Sequence, residues 1–343
     1  MNYGPKIHFG KFGIKLFNLI IPNMSNLSNK NIFVTGATGL VGSHLVKRLF
    51  ELNPSKIVCL CRSKDSSSFF YSEKMDAKVI CSYGDLKDKE RIFDLVSKHE
   101  INHIFHVAAQ PIVPTALINP YETLDTNIMG TVNVLEAARM CPNIQSIVVA
   151  SSDKAYGKDC VLAEETHTLA GDHPYDVSKS CTDLISQTYA KTYGLPIAIS
   201  RFGNIYGPGD LNFNRIIPGI MKAAVEDSVL KIRSNGQFKR DYVYVKDVVD
   251  GYVCLAESIE KIKGEAFNFS SGQNYSVLQL VEKISKIIGV EVKFEIYDNQ
   301  VNEIPEQSLN FSKVEKMLGW ESIYSFEDGI KETYEWYQKY FKN

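Results

Sequence analysis

The chain has 343 residues, 44% of them hydrophobic, and a formal net charge of −2. That is enough for one large α/β domain and a smaller second region without disulfides or metals to staple them. No concentrated basic face points to nucleic acid, whereas a few local arginines suffice for an anionic small molecule. Seven scattered cysteines argue against a disulfide framework and suit the reducing cytoplasm.

Residues 1–28 read as a disordered or loosely packed N-terminal extension. Phe9, Phe12, Leu16 and Phe17 are apolar, but Lys11 and Lys15 interrupt them and Pro22 ends the run. This is too short for a membrane span and lacks a signal-type cleavage site, so no stable membrane insertion is expected. Met24 is an alternative start just before the first strand.

From Asn31 the pattern alternates. Strands are expected at 31–35, 56–61, 78–81, 103–108, 146–151 and 196–202. Helices are expected at 39–52, 87–99, 127–141 and 175–193. Cys59 and Cys61 share one strand face and read as core. Strands separated by helices of this length predict a doubly wound parallel sheet of the Rossmann type over 29–204, with segments near 241–270 returning to it. From about 205 the rhythm changes to a smaller mixed α/β substrate-binding region reaching 343. A strand at 241–245 and helices at 277–288 and 326–340 belong to it. No internal repeat or separating linker is visible.

The strongest local signal is Ile32-Phe33-Val34-Thr35-Gly36-Ala37-Thr38-Gly39-Leu40-Val41-Gly42. An apolar strand runs into a glycine-spaced turn and an apolar helix. Gly36 permits the tight turn, Gly39 lets backbone approach a pyrophosphate, and Gly42 lets the helix pack on the strand. An acidic residue at the end of the second strand would bind a ribose 2′-hydroxyl. Cys61-Arg62-Ser63 stands there instead, and a guanidinium with a hydroxyl favours NADP over NAD. Gly84-Asp85-Leu86 follows the third strand, where adenine is often contacted.

Tyr175 and Lys179 lie four residues apart on one helical face. A cation beside the phenol is expected to lower its pKa and make it a proton acceptor. Ser151 and Ser152 end the preceding strand, where parallel sheets bind ligands, so a hydroxyl there can bond the substrate oxygen.

Taken together, the glycine motif, His106-Val107-Ala108-Ala109-Gln110, Asn127, Ser152 and Tyr175/Lys179 resemble the extended short-chain dehydrogenase/reductase family of nucleotide-sugar enzymes. The resemblance runs from Asn31 to the C-terminus. Arg201 to Pro208, Arg240 to Asp247 and Leu318-Gly319-Trp320 resemble its substrate-region signatures. It implies a tightly bound, recycled NAD(P), contacted by the glycine turn (Gly36, Thr38, Gly39, Leu40, Val41, Gly42), by Arg62, Ser63, Asp85, Leu86, Ala108, Ala109 and Asn127, and by Tyr175 and Lys179. It also implies a nucleotide-diphosphate hexose held by Gln110, Ser152, Asn204, Arg215 and Arg240, with arginine bidentate on phosphate. A homodimer through helices 127–141 and 175–193 is implied as well, and a cytoplasmic location suits the reduced thiols.

Ser152-Asp153-Lys154 bears on the reaction. The Asp-Lys pair, Ala108 to Pro111 and Gly171 to Tyr175 resemble the 4,6-dehydratase branch, closest to the CDP-glucose enzymes. Ser152 in place of Thr, Ala155-Tyr156-Gly157, and the second-strand end depart from that pattern and leave the nucleotide open. The chemistry expected is C4 oxidation with Tyr175 as base, removal of the C5 proton by Lys154, protonation of the leaving 6-hydroxyl by Asp153, and hydride return to C6. An epimerase or reductase of the same family is the alternative, and a non-catalytic dinucleotide sensor is the reading from another class. His44, His103 and His106 read as satisfied core or loop histidines, and no metal site is expected.

Overall fold

A computed structural model describes residues 25–158, 160–298 and 304–342. Most of the N-terminal extension, residues 1–24, therefore lies outside the described residues. The strands are β1 (Asn31–Thr35), β2 (Lys56–Cys61), β3 (Ile80–Tyr83), β4 (His103–His106), β5 (Ser146–Ala150), β6 (Ile197–Phe202), β7 (Asn204–Tyr206), β8 (Leu230–Ile232), β9 (Lys239–Tyr244), β10 (Ala266–Phe269), β11 (Asn274–Ser276), β12 (Phe294–Ile296) and β13 (Glu306–Gln307). The main helices are α1 (Leu40–Phe50), α2 (Lys89–Lys98), α3 (Gly130–Met140), α4 (Pro174–Tyr193), α5 (Ile216–Glu226), α6 (Val245–Glu257), α7 (Val277–Ile288) and α8 (Phe326–Tyr340).

The central sheet has seven strands in the order β10-β6-β5-β4-β1-β2-β3, all parallel. Apart from the exposed edge strand β3, its strands are apolar on both faces, as a doubly covered parallel sheet requires. Ile32 and Val34 enter the core beneath α1 and α6, while Phe33 enters the core beneath α2 and α3. Cys59 and Cys61 both belong to the first core, as their period-two spacing predicts. Strand order reverses between β1 and β4, and the crevice outside the strand ends at such a point is where these sheets bind ligands.

The second region carries a small sheet, β11-β9-β13 with β7 on β9, and a third core of α5, α7 and α8. It is tied to the first by α6, which packs on α1 although its sequence follows β9. The pattern Val245 to Val253 was not expected to be helical; its β-branched residues are accommodated because one face is buried against the sheet. The helix expected from 127 begins instead with a π-helical turn, Asp125–Met129. Among the described residues no helix is long and apolar enough to cross a membrane.

Candidate active site

A cavity of about 1410 Å³ follows the carboxyl edge of the central sheet and continues beneath the second region. It exceeds the roughly 300–1,000 Å³ of an ordinary single-ligand pocket, so two ligands can share it.

One end is a cradle of backbone. Gly36 has φ +75°, and a Cβ there would meet Ala108 Cα at 2.8 Å. A Cβ on Gly42 would lie 2.0 Å from the Gly36 carbonyl oxygen, whereas Gly39 meets nothing closer than 3.5 Å. The first and last glycines are thus demanded by packing, and the middle one leaves the surface open. Gly39 caps α1 without a side-chain hydrogen bond, and no acidic residue occupies the first turn. The first amides of α1 therefore face the cavity unpartnered within the helix, a fit for a dinucleotide pyrophosphate. Thr38, Leu40, Val41, Arg62, Asp85, Leu86, Ala108 and Ala109 line the same end. Leu86 is fixed from behind, its carbonyl accepting from Asn133 Nδ2 at 2.9 Å.

At the centre, Ser151, Ser152, Asp153, Lys154, Tyr175, Asp176 and Lys179 share the wall. Ser152 caps the 3-10 turn Asp153–Tyr156. Its hydroxyl donates to Asp153 Oδ1 at 2.9 Å, on the same wall as Tyr175. The Ser151 hydroxyl has no protein partner; an orphaned polar atom on a cavity wall suits a polar ligand. Pro174 opens α4 at its first turn, and His173 Nδ1 accepts from the Tyr175 amide at 3.2 Å, which sets the phenol's position.

Burial and charge act on both members of the Tyr175–Lys179 pair. Burial pushes the Tyr175 phenol above its ordinary value, and the nearby Asp153 and Asp176 charges push it further, with Ser152 and Arg215 opposing. Lys179 is itself pushed down to about 8 by burial, against the pull of Asp183. Its ammonium donates to the Ala150 carbonyl at 2.7 Å. Burial also lifts Asp176 to about 6, with Lys154 opposing and Asp153 adding to the rise.

The far end is lined by side chains from separate elements: Asn204 on β7, Arg215 before α5, Lys231 and Arg233 by β8, and Arg240 on β9. Arg215 is held by Asp210 Oδ2 at 2.6 Å and the Ile205 carbonyl at 2.6 Å. Such a cationic set suits a diphosphate.

Three expected contacts sit elsewhere. Ser63 is exposed and off the cavity wall. Gln110 is turned inward, its amide bonded to Thr123 Oγ1 at 2.8 Å and to the Ile112 amide at 2.6 Å. Asn127 lies behind the wall, with Oδ1 accepting from the Gln110 amide at 2.7 Å and Nδ2 donating to Ser178 Oγ at 2.9 Å. It braces the loop that carries Ala108 and Ala109. Conversely, Arg233 and Gln307 had no motif to announce them. Gln307, 1% exposed, takes a hydrogen bond from Lys154 Nζ and donates to the Asp153 carbonyl at 2.9 Å. His44, His103 and His106 are buried and hydrogen-bonded, the last between Thr35 and Thr131. Among the described residues no group of three or more His, Cys, Asp or Glu could hold a metal.

A parallel sheet with this strand order, a glycine cradle at the switch point and a Tyr-Lys pair at the strand ends define a Rossmann-type enzyme of the short-chain dehydrogenase/reductase superfamily. The chain belongs to the family described as GDP-mannose 4,6 dehydratase, whose model matches residues 33–333. It is 28% identical over 323 residues to the Arabidopsis thaliana trifunctional UDP-glucose 4,6-dehydratase/UDP-4-keto-6-deoxy-D-glucose 3,5-epimerase/UDP-4-keto-L-rhamnose-reductase, covering 92% of this chain and 48% of that one. The chain thus spans about half the length of that relative. Salmonella typhimurium CDP-glucose 4,6-dehydratase is 27% identical over 91% of this chain and 92% of its own. Two solved structures share the fold. The UDP-glucose 4-epimerase of Thermotoga maritima with UDP-glucose has TM-score 0.82 and 27% identity, covering 91% of this chain and 99% of that one. The dTDP-glucose 4,6-dehydratase of Bacillus anthracis in complex with NAD has TM-score 0.78 and 26% identity, covering 90% and 97%.

Proposed function

We propose that this chain is a nucleotide-sugar 4,6-dehydratase converting an NDP-hexose to an NDP-4-keto-6-deoxyhexose. The observation that carries the reading is the placement of Asp153 and Lys154 on the cavity wall beside Tyr175, on the turn that Ser152 caps. Epimerisation at C4 has no need of that second acid–base pair, and the Salmonella relative's name supports its use in dehydration.

A nicotinamide dinucleotide, when bound, would supply the hydride chemistry, oxidation at C4 and reduction at C6. Tyr175 accepts the 4-hydroxyl proton, with the Ser152 hydroxyl bonding the same oxygen. The C4 ketone acidifies C5–H, and Lys154 removes that proton. Asp153 gives a proton to the 6-hydroxyl as the C6–O bond breaks, releasing water. Lys154 then returns a proton to C5. The proton that Tyr175 takes and the proton that Asp153 gives up cancel over the cycle, so no proton is gained or lost. There is no net oxidation.

The first amides of α1 and the glycine cradle are the groups that would hold the dinucleotide. Arg62 on the wall supports NADP, while the Bacillus anthracis relative's complex with NAD supports the other choice. Arg215, Arg233 and Arg240 would hold the sugar diphosphate. The homodimer remains part of the proposal, supported by exposed apolar residues on the helices it would use: Met129, Met140, Leu184 and Tyr193. The cytoplasm is the proposed compartment.

A thermal-shift panel of nucleoside diphosphates, followed by mass spectrometry of each stabilising nucleotide's hexose, tests the reading. It predicts a product lighter by one water. Isobaric products only would favour the epimerase alternative, which the fold of the Thermotoga enzyme equally accommodates.

A further inference from the structure

We infer that Gln307 is a positioning residue for the elimination step, acting through Lys154 and Asp153; the inference rests on the dehydratase reading. Gln307 does not line the cavity and cannot touch substrate. Its side-chain amide is spent on the two groups that would carry out elimination: Oε1 accepts from Lys154 Nζ, and Nε2 donates to the Asp153 carbonyl at 2.9 Å. One planar group therefore sets both the amine and the backbone of the turn that bears the acid.

The strand that carries Gln307 is clamped on two sides. On one, β13 pairs with β9 in the register Gln307↔Arg240, and the Leu309 amide donates to buried Asp241 at 2.9 Å. On the other, Ser308 accepts from the Ala163 amide at 2.9 Å and, through Oγ, from the Leu162 amide at 2.8 Å. Because Arg240 lines the cationic end of the cavity, its register partner ties that end to the acid–base pair. An amide so held fixes the direction in which Lys154 presents its lone pair, and displacement of a reacting group by about 1 Å can cost about 100-fold.

The test compares wild type, Gln307→Met and Gln307→Glu, each with bound dinucleotide and the hexose nucleotide that wild type dehydrates. Three readouts are followed: water loss, absorbance of the reduced nicotinamide, and melting temperature. Gln307→Met is expected to keep C4 oxidation and KM while slowing water loss about 10- to 100-fold, so that reduced nicotinamide accumulates during turnover. Gln307→Glu, which retains an acceptor for Lys154, should recover part of the rate. In a Lys154→Met background Gln307→Met should add nothing further.

Water loss within twofold of wild type in Gln307→Met, or a parallel fall of oxidation and elimination without accumulation of reduced nicotinamide, would overturn the inference alone. Should wild type isomerise its substrate without losing water, the dehydratase reading fails and the inference falls with it.

Discussion

The two ends of the cavity are built by different means. The dinucleotide end is mostly backbone from residues 36–42, shaped by glycines whose absent side chains make room for the chain itself. The sugar-nucleotide end is mostly side chains, gathered from β7, β8, β9 and the start of α5. Between them stand Tyr175 and the Asp153-Lys154 turn. The difference teaches that a cradle of backbone is specified locally, whereas a cradle of side chains depends on the tertiary fold, and the two should fail differently when altered.

The largest effect belongs to the junction. Tyr175→Phe should leave dinucleotide binding intact and lower kcat/KM about 1,000-fold, checked by steady-state kinetics beside a binding titration. In the backbone half, Gly42→Ala should destabilise the fold by about 1–3 kcal/mol, because its Cβ would overlap the Gly36 carbonyl. Gly39→Ala should fold normally and only weaken the dinucleotide, as paired denaturation and binding curves would reveal. In the side-chain half, Arg233→Met should weaken a nucleoside diphosphate about 10- to 100-fold and leave the dinucleotide untouched in calorimetry. Equal weakening of both ligands would erase the division between the halves.

A smaller effect concerns Asp176, whose carboxyl burial lifts to about 6, with Lys154 opposing. The unfolded chain releases this proton near pH 4, so as pH rises from there through 6 the unfolded state loses it first and folding stability falls. Asp176→Asn removes that penalty. It should be more stable than wild type by about 1–3 kcal/mol near neutral pH, the advantage vanishing below about pH 4 in urea denaturation.

The same contrast explains what was legible. Gly36, Gly39 and Gly42 could be read because one short segment encodes strand, turn and helix together. Tyr175 and Lys179 could be read from a single helical spacing. Gln307 could not, since it meets Asp153 across 154 positions of chain, and nothing in Glu306-Gln307 distinguishes it from any polar strand. Arg233 is hidden for the same reason. Gln110 and Asn127 were legible as positions near the cavity but not as directions: the Asn127 amide bonds the Gln110 backbone and the Gln110 amide bonds Ile112 and Thr123, because a buried amide without partners is costly. For Tyr175 the spacing records the neighbouring ammonium but not the burial and the acidic neighbours, which push the phenol upward.

Dehydration itself is tested most directly by turnover in deuterium oxide with mass analysis of the sugar. The account predicts a product that has lost one water and gained one solvent deuterium at C5. A product of unchanged mass without deuterium at C5 would contradict it.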